Sequence, residues 1–509
     1  MSNFTLPKDL HGVHVHFVGI KGTGMAALVE IFFHNGAIIT GSDVSERFYT
    51  DEILEKLGIR PLLFSKENIT DDVNFVVYSS AYKIDKNPDL ISAVEKNIPC
   101  ILYSEALGLY SSTAFSSGIC GVHGKTSTTG LTGTILKELP LASQTLAGSI
   151  INSFGNSCTY TSPLISASKD SDSVLKKDSN NQISKKFFVA ETCEYQRHFM
   201  SFCPKKIILT SVESDHEDYY PTYEDIRDAF VDYVMKLPPN GDLIYCADDK
   251  GAVEVKNIVS EKRNDINFIP YGENADGDFR LTFNGVDNER NKFNVSLLGD
   301  FELRVPGKHE VMDACAAIAL SSRLLLEENL NPSDYYENIR KGLLNFSGGK
   351  RRSEIIGEFK NKNGVSVLVL DDYGHHPTAV NTTLSGYREF YKGRKIIVDF
   401  MSHTYSRTQA LLKEFGESFG SADVVILHKI YSSARENASD FDITGKTLFD
   451  EVKKHKNNVV YFEEVLDALD YVVEETEKPS EENYPDGVLF VTMGAGDNWR
   501  LGKELLKLK

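Results

Sequence analysis

Short apolar stretches alternate with helical stretches along this chain, in three successive series. In the first, HVHFVGI (14–20) reads as a buried strand and MAALVEIFFHN (25–35) as a helix stopped by Gly36. AIITGSD (37–43) and NFVVYSS (74–80) are further strands. The second series holds SGICGV (117–122), FFVAE (187–191), KIILTSV (206–212) and DLIYCA (242–247). The third holds VSVLVLDD (365–372), KIIVDF (395–400), DVVILHKI (423–430), NVVYF (458–462) and GVLFVTMG (487–494). Strands separated by helices run parallel, with helices packed on both faces of the sheet. A single core rarely grows past about 250–300 residues, so 509 residues require more than one domain. The expectation is an α/β protein of three domains, 1–112, 113–348 and 349–509, each on a mostly parallel sheet. The glycine-rich basic segment FSGGKRR (346–352) is the expected hinge. The polar stretch 159–186, rich in Ser, Lys and Asp, reads as a solvated surface insertion.

Composition narrows the function. A net charge of −18 argues against nucleic-acid binding, which needs a basic face, but leaves room for a local pocket for anionic small molecules. The seven cysteines form no CxxC pair, so neither a disulfide framework nor a structural zinc site is expected. Reduced thiols, no apolar signal core and no run of about 18 apolar residues point to a cytoplasmic protein that does not enter the membrane.

The strongest chemical signal is GVHGKTSTT (121–129), which follows a strand and opens a helix. Closely spaced glycines let backbone N–H groups curl around phosphate oxygens, and a helix N-terminus adds partial positive charge. Gly121, Val122, His123, Gly124 and Ser127 would line such a phosphate cradle. Lys125 would reach the β- and γ-phosphates and Thr126 would ligate Mg²⁺. The middle domain is thus P-loop-like, though GxxGKT is a shortened form of the full phosphate-loop pattern. GIKGTGM (19–25) is a second glycine turn, with Asp43 ending the next strand, so the first domain reads as Rossmann-like. Gly19, Gly22, Gly24 and Met25 would approach a phosphate-bearing nucleotide. Glu191 and His216 follow strands of the second series at the same sheet edge as the phosphate turn. A carboxylate and an imidazole there can complete a magnesium site, although Mg²⁺ prefers oxygen. DDYGHHP (371–377) is a dense polar cluster at a strand end, and SHTYSRT (402–408) offers Arg407 to an anionic group.

Taken together, GIKGTGM, GVHGKTSTT, ESDH, PGKHEVMDA, FSGGKRR, DDYGHHP, SHTYSRT and MGAGD resemble the Mur ligase family over nearly the whole chain. The resemblance implies a Rossmann-like UDP-sugar domain, a central ATP domain and a Rossmann-like C-terminal domain admitting an amino acid. It is strongest to members that join L-alanine to the lactyl carboxylate of UDP-N-acetylmuramate through an acyl phosphate. It implies ATP and Mg²⁺, with Thr126, Glu191 and His216 as metal ligands. Glu310, Arg351 and Asp372 would contact ATP, and Lys125, Arg351 and His375 would serve catalysis. Asp43 and Ser80 would join the first loop around the nucleotide sugar, while Tyr373, His375, His376 and Arg407 would position the carboxylate and the amine. Such an enzyme acts as a monomer or homodimer on small molecules, without nucleic acid or membrane.

Several positions depart from the family pattern. Glu310 and Asp313 stand where asparagines are usual, Thr404 replaces an arginine, and Lys21 replaces a glycine, adding a charge expected near the diphosphate. Other readings stay open: a sister ligase attaching a recycled murein peptide, a non-catalytic nucleotide-sugar sensor, and an NAD-dependent dehydrogenase resting on the first loop alone.

Overall fold

The structure is a computed structural model, and it describes residues 4–166, 185–216, 219–432, 436 and 438–509. The first series forms a four-stranded, all-parallel sheet in the order β2-β1-β3-β4. Its strands are β1 (His14–Val18), β2 (Ile38–Ser42), β3 (Phe75–Tyr78) and β4 (Cys100–Leu102). The helix Thr23–His34 buries Met25, Ala27, Leu28, Ile31 and Phe32 in the same core as Phe17 and Phe75. Covered on both faces, β1 is buried along its whole length, and its two buried histidines, His14 and His16, share the Thr40 hydroxyl at 2.9 Å each.

The second series forms a seven-stranded sheet, β11-β10-β9-β5-β8-β6-β7. It comprises β5 (Phe115–Cys120), β6 (Ser143–Ile151), β7 (Ser157–Thr161), β8 (Phe187–Glu191), β9 (Lys206–Leu209), β10 (Asp242–Cys246) and β11 (Asn267–Tyr271). Every pairing is parallel except that of the edge strand β7 with β6. From β5 the chain crosses to β6 on one side, and from β8 it crosses back over β5 to β9. This reversal opens a crevice at the carboxyl end of β5, where ligands of open α/β sheets bind. The helix Lys125–Leu136, leaving that crevice, packs on the helix Lys308–Glu327.

A three-stranded antiparallel meander was not foreseen from the sequence. Its strands are β12 (Leu281–Val286), β13 (Asn291–Val295) and β14 (Gly299–Leu303), and it buries Phe293, Phe301 and Leu303 with the helix Lys308–Glu327. The third series forms a six-stranded sheet, β15-β16-β20-β17-β18-β19. Its strands are β15 (Glu354–Lys360), β16 (Ser366–Asp372), β17 (Arg394–Met401), β18 (Val424–Leu427), β19 (Val459–Tyr461) and β20 (Gly487–Gly494). Only β15, at the edge, runs antiparallel to its neighbour.

One expectation needs correcting. The polar insertion of 159–186 is shorter than its composition suggests: Thr159 lies in β7, and Pro163–Ser166 is a helical turn. At its far end Lys186 donates to Asn35 (2.7 Å) and Tyr110 (2.8 Å), tying the first two units together. Residues 167–184 lie outside the described residues. The basic glycine segment, expected as the hinge, is hydrogen-bonded to β6 and the turn after it: Lys350 N–H donates to Ile150 O (2.8 Å) and Asn152 N–H to Gly348 O (3.2 Å).

Candidate active site

The turn Gly121–Val122–His123–Gly124 leaves β5 and enters the helix Lys125–Leu136. Gly121 has φ of +138°, and a Cβ there would lie 2.0 Å from Thr210 Oγ1. Any side chain would therefore push the turn away from β9. The helix has no side-chain N-cap, so its first N–H groups are offered to the crevice. Lys125 folds back over the turn: Nζ donates to Val122 O (3.2 Å) and to Glu194 Oε1 (2.9 Å). Burial alone would lower the Lys125 pKa, but the Glu194 carboxylate outweighs it and holds the ammonium charged. Glu194 is likewise opposed by burial, yet Lys125 and His216 hold its carboxyl below the usual range. Next along the helix, the Thr126 hydroxyl donates to Glu191 Oε2 (2.9 Å), which also accepts from Gly148 N–H (2.7 Å). Ser127 Oγ donates to Glu310 Oε1 (2.8 Å). Each polar side chain of the helix's first turn thus faces an acid.

His216, which the resemblance assigns to a second ion, stands beside Glu194. Its Nε2 lies 3.4 Å from Glu194, with the ring against Tyr195 at 4.9 Å between centroids. Glu310 and Asp313, one turn apart on the helix Lys308–Glu327, are both buried against the phosphate turn. Burial first, and then each other's neighbourhood, pushes Asp313 well above the carboxylate range, and burial raises Glu310 too.

The third sheet closes the crevice from the other side. Arg351, at φ of +55°, donates through Nε to Asp371 (2.8 Å) and through Nη2 to Gly494 O (2.7 Å). Asp372 accepts from Ser353 N–H and Gly374 N–H, both at 2.8 Å. Its oxygens therefore shape the βα turn rather than point freely into the crevice. The guanidiniums of Arg351 and Arg352 lie 5.4 and 5.5 Å from the Tyr373 ring. His375 Nδ1 donates to Tyr373 O (3.0 Å), which leaves its Nε2 lone pair free. Burial and the nearby Arg407 hold His375 well below the usual imidazole range, so its ring is neutral. Arg407 crosses to the second unit, where Nη2 donates to Asp215 Oδ1 (2.6 Å) with both side chains buried. Burial opposes ionisation of Asp215, but Arg407 outweighs it and holds the carboxyl far below the usual range.

In the first unit, Gly24 leaves room for the Tyr103 ring, which a Cβ there would approach to 2.8 Å. Burial raises the Tyr103 phenol, and the Glu191 charge adds to it. Gly19 and Gly22 form the turn, Met25 is buried, and Ser80 is exposed just past β3. Asp43 accepts from Lys21 N–H (2.7 Å), Val44 N–H (2.8 Å) and Tyr82 OH (3.1 Å). Lys21 was expected to bring a charge to the diphosphate. Instead it is buried, with Nζ on the carbonyls of Val44 (3.0 Å) and Glu46 (2.7 Å) and 3.3 Å from Asp51. Its neighbours supply three acceptors, so it pins the loop that follows β2.

Comparison with known proteins agrees with this arrangement. Three family models match in series: Mur ligase family, catalytic domain, at 14–114; Mur ligase middle domain, at 119–321; and Mur ligase, glutamate ligase domain, at 351–496. The chain belongs to the Mur ligase family. It is 44% identical over 508 residues to a UDP-N-acetylmuramate–L-alanine ligase of Treponema pallidum, covering 99% of this chain and 98% of that one. The corresponding ligase of Borreliella burgdorferi is 37% identical, with 96% and 97% covered. Among solved structures, a UDP-N-acetylmuramate–alanine ligase from Thermotoga maritima superposes with a TM-score of 0.70 at 22% identity, covering 97% and 98%. A murein peptide ligase from Psychrobacter arcticus gives 0.64 at 20% identity, covering 97% and 98%. The last two show the fold they share with this Mur ligase.

Three acids were absent from the sequence-based site: Glu194, Glu213 and Asp215. Glu213 and Asp215 sit inside the ESDH string already singled out. Glu194, three residues past Glu191, is the second glutamate that the family pattern keeps in ETCEYQ (191–196), though no role was assigned to it.

Proposed function

We propose that this Mur ligase joins L-alanine to the lactyl carboxylate of UDP-N-acetylmuramate, converting ATP to ADP and phosphate, in the synthesis of a peptidoglycan precursor. The 44% identity over 508 residues to a ligase of that name carries the reading. The crevice supplies its chemistry. The turn from Gly121 to Gly124 and the open helix end would cradle the triphosphate, with Lys125 shifting from Glu194 to the terminal phosphate. The lactyl carboxylate would then attack the γ-phosphorus, ADP would leave, and an acyl phosphate would form. The alanine nitrogen would attack the acyl carbon, and inorganic phosphate would depart. The ammonium of alanine must first lose a proton, which the Nε2 of His375 would accept. Arg351, Tyr373, His376 and Arg407 would orient the reacting groups, while Glu310 and Asp372 border the nucleotide.

The Thr126 hydroxyl and Glu191 carboxylate are oxygen donors 2.9 Å apart, a pair that suits Mg²⁺. They would hold it, with His216 and Glu194 as a neighbouring second position, and it would screen the meeting of two anions. Around Gly19, Gly22, Gly24 and Met25, backbone groups would take the UDP diphosphate, with Asp43 and Ser80 beside it. The seven free cysteines suit the reducing cytoplasm. Among the described residues no helix is long and apolar enough to cross a membrane.

ADP release measured with UDP-N-acetylmuramate and a panel of amine donors tests the reading. Turnover with L-alanine and none with a murein tripeptide supports it. Preference for the tripeptide favours the sister ligase, and nucleotide-sugar binding without turnover favours a sensor.

A further inference from the structure

Three side chains converge where the phosphate turn meets the third sheet, and the chemistry above does not use them together. His123 sets Nε2 against the Glu213 carboxylate, and His376 Nδ1 lies 3.7 Å from the same Oε1. One donor atom of each residue lies within 4.8 Å of the other two. The imidazole rings are 5.3 Å apart between centroids, tilted by 51°. All three are held by neighbours. His123 N–H donates to Ser211 Oγ (2.9 Å), and Thr378 Oγ1 donates to Glu213 Oε2 (3.4 Å). His376 caps the helix Pro377–Phe390 by accepting from Thr378 N–H (3.3 Å). The His376 side chain is only 7% exposed, and its Nε2 has no hydrogen-bond partner. With Nδ1 accepting from Thr378 N–H, the neutral ring carries its proton on Nε2, so a metal beside Glu213 would take the Nδ1 lone pair in place of that cap.

We propose that His123, Glu213 and His376 bind a divalent transition metal of the zinc class, clamping the phosphate turn to the third sheet. Two imidazole nitrogens and one carboxylate oxygen form the three-ligand set that zinc takes while leaving a fourth position for water or substrate. Magnesium, which demands oxygen ligands in octahedral geometry, is poorly served by it. The set shares no residue with Thr126 and Glu191, so the two sites select different ions. The ligands approach from separate elements: His123 from the turn after β5, Glu213 from the segment after β9, and His376 from the start of the helix after β16. A metal held there draws the second and third units together. Burial holds the His376 ring below the usual imidazole range, towards the neutral state a metal requires.

Co²⁺ is the probe, titrated into the full-length protein in excess Mg²⁺ and followed by its visible d–d absorption. One equivalent should give an intense band that Zn²⁺ abolishes. Glu213→Gln and His376→Ala should each weaken Co²⁺ binding about 10- to 100-fold. Glu191→Gln and His216→Ala should leave the band unchanged. Glu213 is about one-third exposed, so its isosteric change remains informative if His376→Ala fails to fold. No band in the wild-type protein, Co²⁺ affinity unchanged by Glu213→Gln, or a band lost on His216→Ala would each overturn the assignment.

Discussion

The chain uses one backbone device twice, with opposite treatment of its lysine. Both glycine turns leave a strand of a parallel sheet and enter a helix without a side-chain cap. In the first, Lys21 is held by Val44 O, Glu46 O and Asp51. In the second, Lys125 lies over the turn itself, paired with Glu194. The first turn can therefore meet an anion only through backbone N–H groups and the helix end. The second also has an ammonium over the turn, a hydroxyl and a ring of acids. A nucleotide sugar that is merely held needs the former, whereas a phosphoryl group that is transferred needs charge that can move onto it.

The largest effect expected from this contrast is at Lys125. Lys125→Ala should lower the rate of ADP formation on the order of 1,000-fold, as loss of one focused charge in a dry site does. Calorimetric binding of UDP-N-acetylmuramate should be unaltered, because that ligand would rest on the first turn. Equal loss of both would break the contrast. Lys21→Met should act the other way, leaving Asp51 buried without its cation at a cost of about 3 kcal/mol in denaturant unfolding. Nucleotide-sugar affinity of the folded protein should hold, and a selective loss of that affinity would place Lys21 at the diphosphate after all. Gly121→Ala combines strain at positive φ with collision against Thr210, for about 1–3 kcal/mol of destabilisation and weaker ATP binding. A melting temperature and ATP affinity both like wild type would show that this turn has slack.

The smallest effect concerns the acids behind the second turn. The Asp313 pKa is raised in the folded protein, so its cost is absent below the unfolded value of about 3.9 and grows as pH rises towards the folded value. Asp313→Asn removes that cost. The variant's gain in melting temperature over wild type should be larger at pH 8 than at pH 4. A gain independent of pH would mean that Asp313 does not titrate as its burial dictates.

Much of the parallel framework was legible because strands covered on both faces are apolar throughout, as in FVVY of β3 and VLVL within β16. What escaped notice was of a different kind. β6 is almost wholly buried yet spelled SQTLAGSII, too polar to read as a core strand. In the meander, β13 alternates buried and half-buried residues, the period-2 signature of an antiparallel strand, in a stretch read only for parallel units. The site divides similarly. Lys125, Thr126 and Glu191 could be named from the strand-turn-helix context. Their organisation could not, because Glu194 meets Lys125 across 69 positions and Asp215 meets Arg407 across 192. Lys21 was misplaced for the same reason: local spacing puts it on the turn, but Asp51 and two carbonyls nearly thirty residues on draw its side chain elsewhere.

A crystal structure with a non-hydrolysable ATP analogue and magnesium tests the central claim most directly. The account predicts the triphosphate in the turn from Gly121 to Gly124, Lys125 Nζ moved from Glu194 onto the terminal phosphate, and the ion on Thr126 and Glu191. A triphosphate bound instead at the turn from Gly19 to Gly24, with Lys125 still on Glu194, would contradict it.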